Sequence, residues 1–569
     1  MKKILRINMG DESMDFQDVP ERYAPTGGRG LIAKVLMEEV DPACAPLGPQ
    51  NKLIFCPGLF GDTAAPCSGR LSVGAKSPLT GGIKEANAGG TFATQLVNLG
   101  LKAVIIEGKP DGDDWFLLSI NDQGVEFLSA KKYLGLNNYQ LVENLHNDFG
   151  NDYAIASVGC AGERGYRNST IQITDPEGRP SRAAARGGLG SVMGSKRIKA
   201  ILVKNIKAPS YQYADTAQFR EANKAYTQGI LQNPISGQAM PALGTAVLVG
   251  MINGMGILPT RNFSSGRFDQ AEQISGEHIA ELQAQRGGTM KHACHKGCVI
   301  HCSNVINDAD GNYLTSGFEY ETIGLIGANC EIGDIDAIAK IDHMCDDLGV
   351  DTMDAGCTLG VCMEAGKIEF GDAKGAIALM QEMYDGTEFG RILGDGTETA
   401  GKHLNVKRIP TVKGQALAAY DPRGLKGLGV TYATSPMGAD HTAGNSLGNP
   451  TVNALMKDGQ VELSTNLQVA MTLFDILGMC VFAGFCLEVP ENMGHLINMA
   501  AGKFGGEWDV NRLMGLGVQS LALEKAFNKL AGFTAKDDRL PDFFYTEKLD
   551  STDTVFDVSD EELAGAIPF

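Results

Sequence analysis

Three cysteines and three histidines fall within one short run, His292-Ala293-Cys294-His295-Lys296-Gly297-Cys298-Val299-Ile300-His301-Cys302. No other stretch concentrates soft metal ligands in this way. Thiolates at this spacing can converge on one centre, and three of them with a distant fourth suit a 4Fe–4S cluster. A radical-SAM site would need C-x3-C-x2-C, whereas this run reads C-x3-C-x3-C. Two plainer readings stay open. Structural zinc draws cysteine pairs from two separate places, and clustered thiols can be small buried hydrophobes.

A second pattern occurs twice. Asp346-x-x-Gly349-Val350-Asp351 and Asp475-x-x-Gly478-Met479-Cys480 both read D-x-x-G, then an apolar residue, then Asp or Cys. Each closes a segment of helical periodicity, Asp334–Leu348 and Asn466–Leu477, with Asp334 a candidate N-cap. An aspartate at a helix C-terminus opposes the macrodipole. A ligand with two parallel N–H donors, such as the amino-pyrimidine edge of a pterin, would compensate it. The glycine permits a left-handed turn and close approach. Two copies imply two similar ligands, and Cys480 becomes the fourth cysteine for the run. Coincidental aspartates at two ordinary helix ends are the alternative.

The elements that must position these groups belong to a chain of 569 residues with 43% hydrophobic and 21% charged residues, ordinary for a globular protein of several domains. The net charge of −19 argues against non-specific nucleic-acid binding. Thirteen unevenly spaced cysteines fit a reducing cytoplasm better than a disulfide framework. The N-terminal residues alternate like a strand without a long apolar core, so no secretory signal is expected, and no apolar run approaches a membrane span.

Residues 1–208 read as β-rich, with strands expected at Lys3–Asn8, Lys52–Cys56, Ala103–Glu107, Trp115–Ile120, Ala154–Val158 and Ala200–Val203. Two glycine-rich stretches, Ser68–Gly90 and Arg182–Gly194, are expected to interrupt the strands. Both pair arginine with small residues, a combination that suits phosphate or a strand crossing. Residues 209–410 read as mainly helical, with helices over Ala217–Leu231 and Ser275–Arg286. Residues 411–569 form a third, helical region, and the acidic tail Asp550–Phe569 is expected to be loosely docked or partner-binding.

Taken together, these motifs resemble the aldehyde:ferredoxin oxidoreductase family of tungsten enzymes, from Arg6 to about Phe543. Further marks of the resemblance are Lys76-Ser77-Pro78-Leu79-Thr80-Gly81, Ala183–Gly194, Glu319-Tyr320-Glu321 and Ala419-Tyr420-Asp421-Pro422-Arg423-Gly424. The resemblance implies an α+β fold, in which an N-terminal β-rich domain forms the base for a bis-molybdopterin tungsten (or molybdenum) cofactor and two mainly α-helical domains cover it. It implies cofactor contacts at Arg70, Asn87, Gly89, Arg182, Ala183 and Ala185. It assigns Asp346, Val350 and Asp351 to one pterin, and Asp475, Met479 and Cys480 to the other. Cys294, Cys298, Cys302 and Cys480 match the ligands of one 4Fe–4S cluster, and Glu321 and His441 match the acid–base pair beside the metal, with Glu319 a second choice.

Three departures stand out. The family spaces its first two cluster cysteines C-x2-C. Its dimer-bridging iron uses an E-x-x-H, which here reads Lys340-Ile341-Asp342-His343, so that iron is expected to be absent. Longer members also continue beyond Leu540-Pro541-Asp542, which leaves substrate and partner open.

The implied function is oxidation of an aldehyde to a carboxylic acid, with electrons passing through the cluster to ferredoxin or an iron–sulfur subunit. The assembly would be a homodimer or hetero-oligomer, cytoplasmic, without a membrane span or nucleic acid. The alternatives are a reductase subunit of the same fold acting on a substrate such as an aromatic acyl-CoA, and a non-catalytic iron–sulfur relay.

Overall fold

The computed structural model describes residues 1–207 and 210–567. The expected boundary at 208/209 and the last two positions of the tail therefore lie outside the described residues. Twelve strands between Lys3 and Lys204 build two six-stranded sheets. The first holds β1 (Lys3–Asn8), β2 (Ser13–Asp18), β3 (Leu53–Pro57), β4 (Leu71–Lys76), β5 (Ile83–Ala88) and β6 (Leu101–Glu107) in the order β2-β1-β6-β3-β4-β5. The second holds β7 (Phe116–Ile120), β8 (Val125–Ser129), β9 (Tyr153–Ser157), β10 (Ile171–Ile173), β11 (Arg182–Ala184) and β12 (Ile198–Lys204) in the order β8-β7-β12-β9-β10-β11.

Adding six to each strand number converts one order into the other. In both sheets one pair is parallel, β1 with β6 and β7 with β12, and the remaining pairs are antiparallel. The base is thus an internal duplication.

Strand alternation sorts the core into layers. Leu5 and Ile7 join Phe116, Leu118 and Ile120 in a core between the two sheets, whereas Ile4 faces the helix α1 (Gly28–Glu39) through Leu31, Val35 and Leu36. Leu117 turns the opposite way, to Leu141, Val142 and Leu145 of the helix Asn138–Phe149. The result is helix, sheet, sheet, helix. The expected strands are present to within a residue or two. The glycine-rich stretches do not interrupt them, however: Leu71–Lys76 and Ile83–Ala88 are strands, and so is Arg182–Ala184. They lack a visible alternation because β4 is buried on both faces.

The remainder is helical: α2 (Thr216–Gln232), α3 (Ile335–Leu348), α4 (Thr352–Glu364), α5 (Gln460–Leu477), α6 (Glu491–Phe504) and α7 (Val510–Leu530) are its principal elements. Asp334 caps α3 by accepting from Asp336 N and Ala337 N, as its sequence position predicts. A small antiparallel sheet of β13 (Thr289–His292), β14 (Ser303–Asn307) and β15 (Tyr313–Ser316) was not expected; the cysteine run is the connection between its first two strands.

Two other expectations are corrected. The tail is not loosely docked, because Phe556, Val558 and Leu563 are buried in the main helical core. One helical run, Ile235–Met255, does reach the length and apolarity of a membrane span, with a mean hydropathy of 1.5. It is broken by Pro241 and by Gly244 at φ +63°, and Val249 and Ile252 pack in the core.

Candidate active site and cofactor cradle

The two D-x-x-G motifs end α3 and α5 with Gly349 and Gly478 in the left-handed region, at φ +83° and +73°. Each motif docks on the base through matching backbone bonds. Cys480 N donates to Cys67 O at 2.8 Å and Arg70 N to Gly478 O at 3.2 Å. In the other half, Asp351 N donates to Asn168 O at 3.2 Å and Thr170 N to Gly349 O at 2.9 Å. The approach requires glycine on the base as well. A Cβ on Gly58 would lie 2.0 Å from Gly478 N, and one on Gly159 would lie 2.3 Å from Leu348 O. The duplicated sheets thus present two equivalent docking edges to the duplicated motif.

Both motif aspartates are buried against base side chains. Asp475 accepts from Arg29 Nη1 at 3.3 Å and from Asn87 Nδ2 at 3.4 Å, and Arg29 also grips Glu524 with two bonds of 2.8 Å. Asp346 accepts from Gln172 Nε2 at 3.3 Å. Burial pushes the Asp475 carboxyl up to about 6, against Arg29, and raises Asp346 well above the usual range. Asp351 is engaged differently. Its carboxylate caps α4 through Met353 N and Asp354 N and pairs with Arg186 Nε at 3.1 Å. Val350 and Met479 are buried beside their aspartates.

Arg70 links the second motif to the cysteines. Its Nε donates to Asn87 Oδ1 at 2.5 Å and its Nη2 to Asn87 O at 3.3 Å, and its charge faces Cys294 and Cys480. Gly89 keeps this corner open, since a Cβ there would meet Cys294 O at 3.1 Å and Arg70 Nη1 at 3.3 Å. Across the base, Arg182 donates to Ser303 Oγ at 2.7 Å and reaches His292 Nδ1 at 3.3 Å. Ala183 and Ala185 flank it on β11 and just beyond.

The four expected cysteines converge, joined by Cys67, which sequence reasoning missed. Cys294 Sγ lies 3.1 Å from His295 Nδ1, Cys298 Sγ accepts from His301 N at 3.3 Å, and the five thiols act on one another electrostatically. Cys298, aided by His295, lowers the Cys294 thiol, while Cys294 and Cys67 raise that of Cys298. Burial pushes the Cys480 thiol up to about 12, against Arg70. Among the described residues, no three His, Cys, Asp or Glu side chains stand together closely enough to hold a metal ion, so the thiols share a neighbourhood without forming a ligand set.

Glu321 and His441 meet, and the turn of His441 is tied to the first motif through Arg186, which donates to Ala439 O and Asp351 Oδ2. Glu321 Oε1 lies 3.3 Å from His441 Nε2, while Oε2 accepts from Ala419 N at 2.7 Å. Glu321 lies in the helical turn Tyr320–Thr322, which runs directly into a π-turn, Ile323–Gly327, a form frequent at functional sites. Glu319, the second choice, instead accepts from Thr245 Oγ1 at 2.6 Å and faces Arg182 and Cys294.

Buried polar atoms without partners test whether a large polar group fits here. They include Asn168 Oδ1 and Nδ2, Gln172 Oε1, Arg182 Nε, Glu85 Oε1, Glu321 Oε1 and His441 Nδ1. These atoms lie beside the two motifs and the acid–base pair. An apolar core would not tolerate them, and the donor and acceptor edges of a bis-pterin would satisfy them.

Comparison with known proteins agrees with this architecture. Residues 4–205 match the family model "Aldehyde ferredoxin oxidoreductase, N-terminal domain", and residues 221–564 match "Aldehyde ferredoxin oxidoreductase, domains 2 & 3". The tungsten-containing aldehyde ferredoxin oxidoreductase of Pyrococcus horikoshii is 34% identical over 96% of this chain and 92% of its own length. That of Thermococcus kodakarensis is 33% identical over 96% and 92%. An aliphatic sulfonate oxidoreductase, WOR-like subunit, of Pyrococcus furiosus is 25% identical over 78% and 74%. Among solved structures, the BamBC active-site complex of benzoyl coenzyme A reductase superposes with a TM-score of 0.80 at 20% identity, covering 95% of this chain and 90% of that one, a likeness of fold alone. With both family models matched across nearly its whole length, this chain belongs to the aldehyde ferredoxin oxidoreductase family of oxidoreductases.

Proposed function

We propose that this chain oxidises an aldehyde to its carboxylic acid on a tungsten bis-pterin centre and exports the electrons through one 4Fe–4S cluster to ferredoxin or an iron–sulfur subunit. The observation that carries this reading is the matched docking of the two D-x-x-G motifs on a duplicated base. Supporting it, the turn of His441 is tied to the first motif through Arg186, which donates to Ala439 O and to Asp351, and Cys480 ends the second motif beside Cys67.

In this reading Asp346, Val350 and Asp351 hold one pterin. Asp475, Met479 and Cys480 hold the other, and Arg70, Asn87, Gly89, Arg182, Ala183 and Ala185 contact the cofactor from the base. Cys294, Cys298, Cys302 and Cys480 hold the cluster. The bis-pterin group, when bound, supplies the two-electron redox centre. The net change, aldehyde plus water to carboxylate, releases two electrons and three protons. His441 donates from Nε2 to the aldehyde oxygen and offsets negative charge developing there. Glu321, oriented by the Ala419 N–H, takes a proton from the attacking water at Oε1. Arg70 touches both cofactor sites and keeps cluster and pterin adjacent.

The bridging iron of the family is absent from this reading. Lys340 is exposed and brings no carboxylate, and His343 is stacked on Tyr139 at 4.4 Å. Domain boundaries near 208 and 410 are kept as part of it.

Anaerobic purification followed by metal analysis tests the proposal. About one tungsten (or molybdenum) and about four iron per chain are expected, with aldehyde-dependent reduction of a viologen dye. Iron without either heavy metal, from cells supplied with both, would leave an electron relay as the function.

A further inference from the structure

The turn that carries His441 is held from below by two cations, one from each half of the base. Lys84, on β5 and fully buried, donates from Nζ to Asp440 Oδ2 at 3.2 Å. Arg186, just past β11, donates from Nη1 to Ala439 O at 2.7 Å and from Nε to Asp351 Oδ2 at 3.1 Å. The two cations are packed closely: a Cβ on Gly187 would fall 2.5 Å from Lys84 Cγ. Asp440 Oδ1 caps the turn His441–Ala443, accepting from Thr442 N at 3.0 Å and Thr442 Oγ1 at 2.8 Å, and lies 3.9 Å from His441 Nδ1.

Capping alone does not call for a buried lysine. Asp215 caps α2 in the same way at an exposed position. A buried cation is costly and persists where its charge serves something nearby. The turn that Lys84 holds carries His441, whose Nε2 lies 3.3 Å from Glu321 Oε1.

We propose that Lys84 and Asp440 form a charge-balanced positioning pair for His441: Lys84 fixes the capped turn and cancels the Asp440 charge, and so sets how readily His441 holds a proton opposite Glu321. The inference rests on His441 and Glu321 as the acid–base pair. Burial would push the Asp440 carboxyl up, yet Lys84 and Arg186 hold it well below the usual range, while burial lowers Lys84.

The charged and titratable groups around His441 come from several elements. Asp440 of its own turn stands 3.9 Å from Nδ1 and Glu321 of the Tyr320–Thr322 turn 3.3 Å from Nε2. Lys84 and Arg186 face Asp440 from the base. Tyr420 stands with its ring 6.1 Å away, and Tyr432 faces Glu321 and Asp440. Lys84 itself faces Asp440, Arg186 and Glu85, and Arg186 faces Asp351 and Asp354. Removing the lysine charge therefore raises the His441 midpoint, and removing the aspartate charge lowers it.

The test follows the His441 imidazole by 13C-histidine NMR in the oxidised holoenzyme, with His441→Gln for assignment, beside pH profiles of kcat/KM. Lys84→Met should move the midpoint up and Asp440→Asn should move it down, each by about 0.5–1 pH unit. The double variant should return towards the parent and Lys84→Arg should restore it. In Lys84→Met, kcat should fall about tenfold with KM little changed. Single variants that move the midpoint the same way, or lose activity without moving it, overturn the proposal and leave a structural pair. Opposite shifts with unchanged pH–rate profiles support the pair and overturn the acid–base role of His441.

Discussion

Glu321 Oε1 and His441 Nε2 stand 3.3 Å apart, and the other Glu321 oxygen is fixed by the Ala419 N–H at 2.7 Å. Oε1 has no hydrogen-bond partner of good geometry although it is buried. One oxygen orients the carboxylate and the other is free to act, the arrangement a general base requires. Glu321→Gln keeps the shape and the Ala419 bond but cannot accept a proton. It should lower kcat by about 10²–10⁴-fold with metal content unchanged. Glu319→Gln should leave kcat within a few-fold while altering the cluster environment. Equal losses in both variants would sink the assignment.

Cys480 offers a test of the cluster that spares the pterin. Its backbone N–H is held by Cys67 O at 2.8 Å, so removing the sulfur need not move the motif. Cys480→Ala should lose most of its iron while Asp475 and Met479 retain tungsten. Cys486→Ala is the control: that thiol donates to Ala483 O at 3.3 Å, faces Tyr226 and is not among the four assigned ligands. Full iron in Cys480→Ala would show that another group, Cys67 foremost, completes the cluster.

The buried acids give the cofactor-free chain a predictable pH dependence. Burial raises Asp475 from 3.8 to about 6 and Glu85 from 4.5 to about 8. The folded state then holds more protons than the unfolded state between those limits, so stability falls as pH rises. This stabilising protonation is fully present below about pH 4 and is lost as pH passes 6 and then 8. Cofactor-free protein should therefore show a lower unfolding midpoint in urea at pH 8 than Glu85→Gln does, with the gap closing near pH 5. Cofactor N–H donors at Asp475 should flatten the slope in the loaded protein. A gap that widens towards acid pH would refute the ionisation order.

How much of this was legible in the sequence follows from which interactions are local. The helices ending in Gly349 and Gly478 were readable because periodicity, the Asp334 cap and the terminal glycine all lie within one segment. Strands β4 and β5 were not, because burial on both faces removes alternation and β5 buries two charged residues, Lys84 and Glu85. The acidic tail misled for a related reason: Phe556, Val558 and Leu563 dock singly, set among charged residues. Cys67 and Arg29 find their partners across hundreds of residues, in Cys298 and Glu524, and no local pattern marks such pairs. The duplication of the base was also hidden. Only the short D-x-x-G motif keeps a visible repeat, because each copy must present the same turn to the same kind of edge.

That duplication makes a paired prediction. Gly58 and Gly159 occupy equivalent places in the two halves, and each receives the end of a motif helix. An added Cβ on Gly58 would lie 2.0 Å from Gly478 N and 2.3 Å from Leu477 C. On Gly159 it would lie 2.3 Å from Leu348 O and 2.7 Å from Asp347 O. Backbone atoms cannot swing aside as side chains do, so the whole motif must retreat. Neither glycine needs a left-handed φ, so alanine fails there by contact alone. Gly58→Ala and Gly159→Ala should each destabilise by about 1–3 kcal/mol or more and lose tungsten. Gly58→Ala should also lose iron, because the displaced motif ends in Cys480, whereas Gly159→Ala displaces Asp351 and should keep it. Gly515→Ala, in α7 with open space around its Cβ, is the control and should stabilise by about 0.5–1 kcal/mol. Iron loss in both base variants would mean that the two halves do not hold their motifs independently.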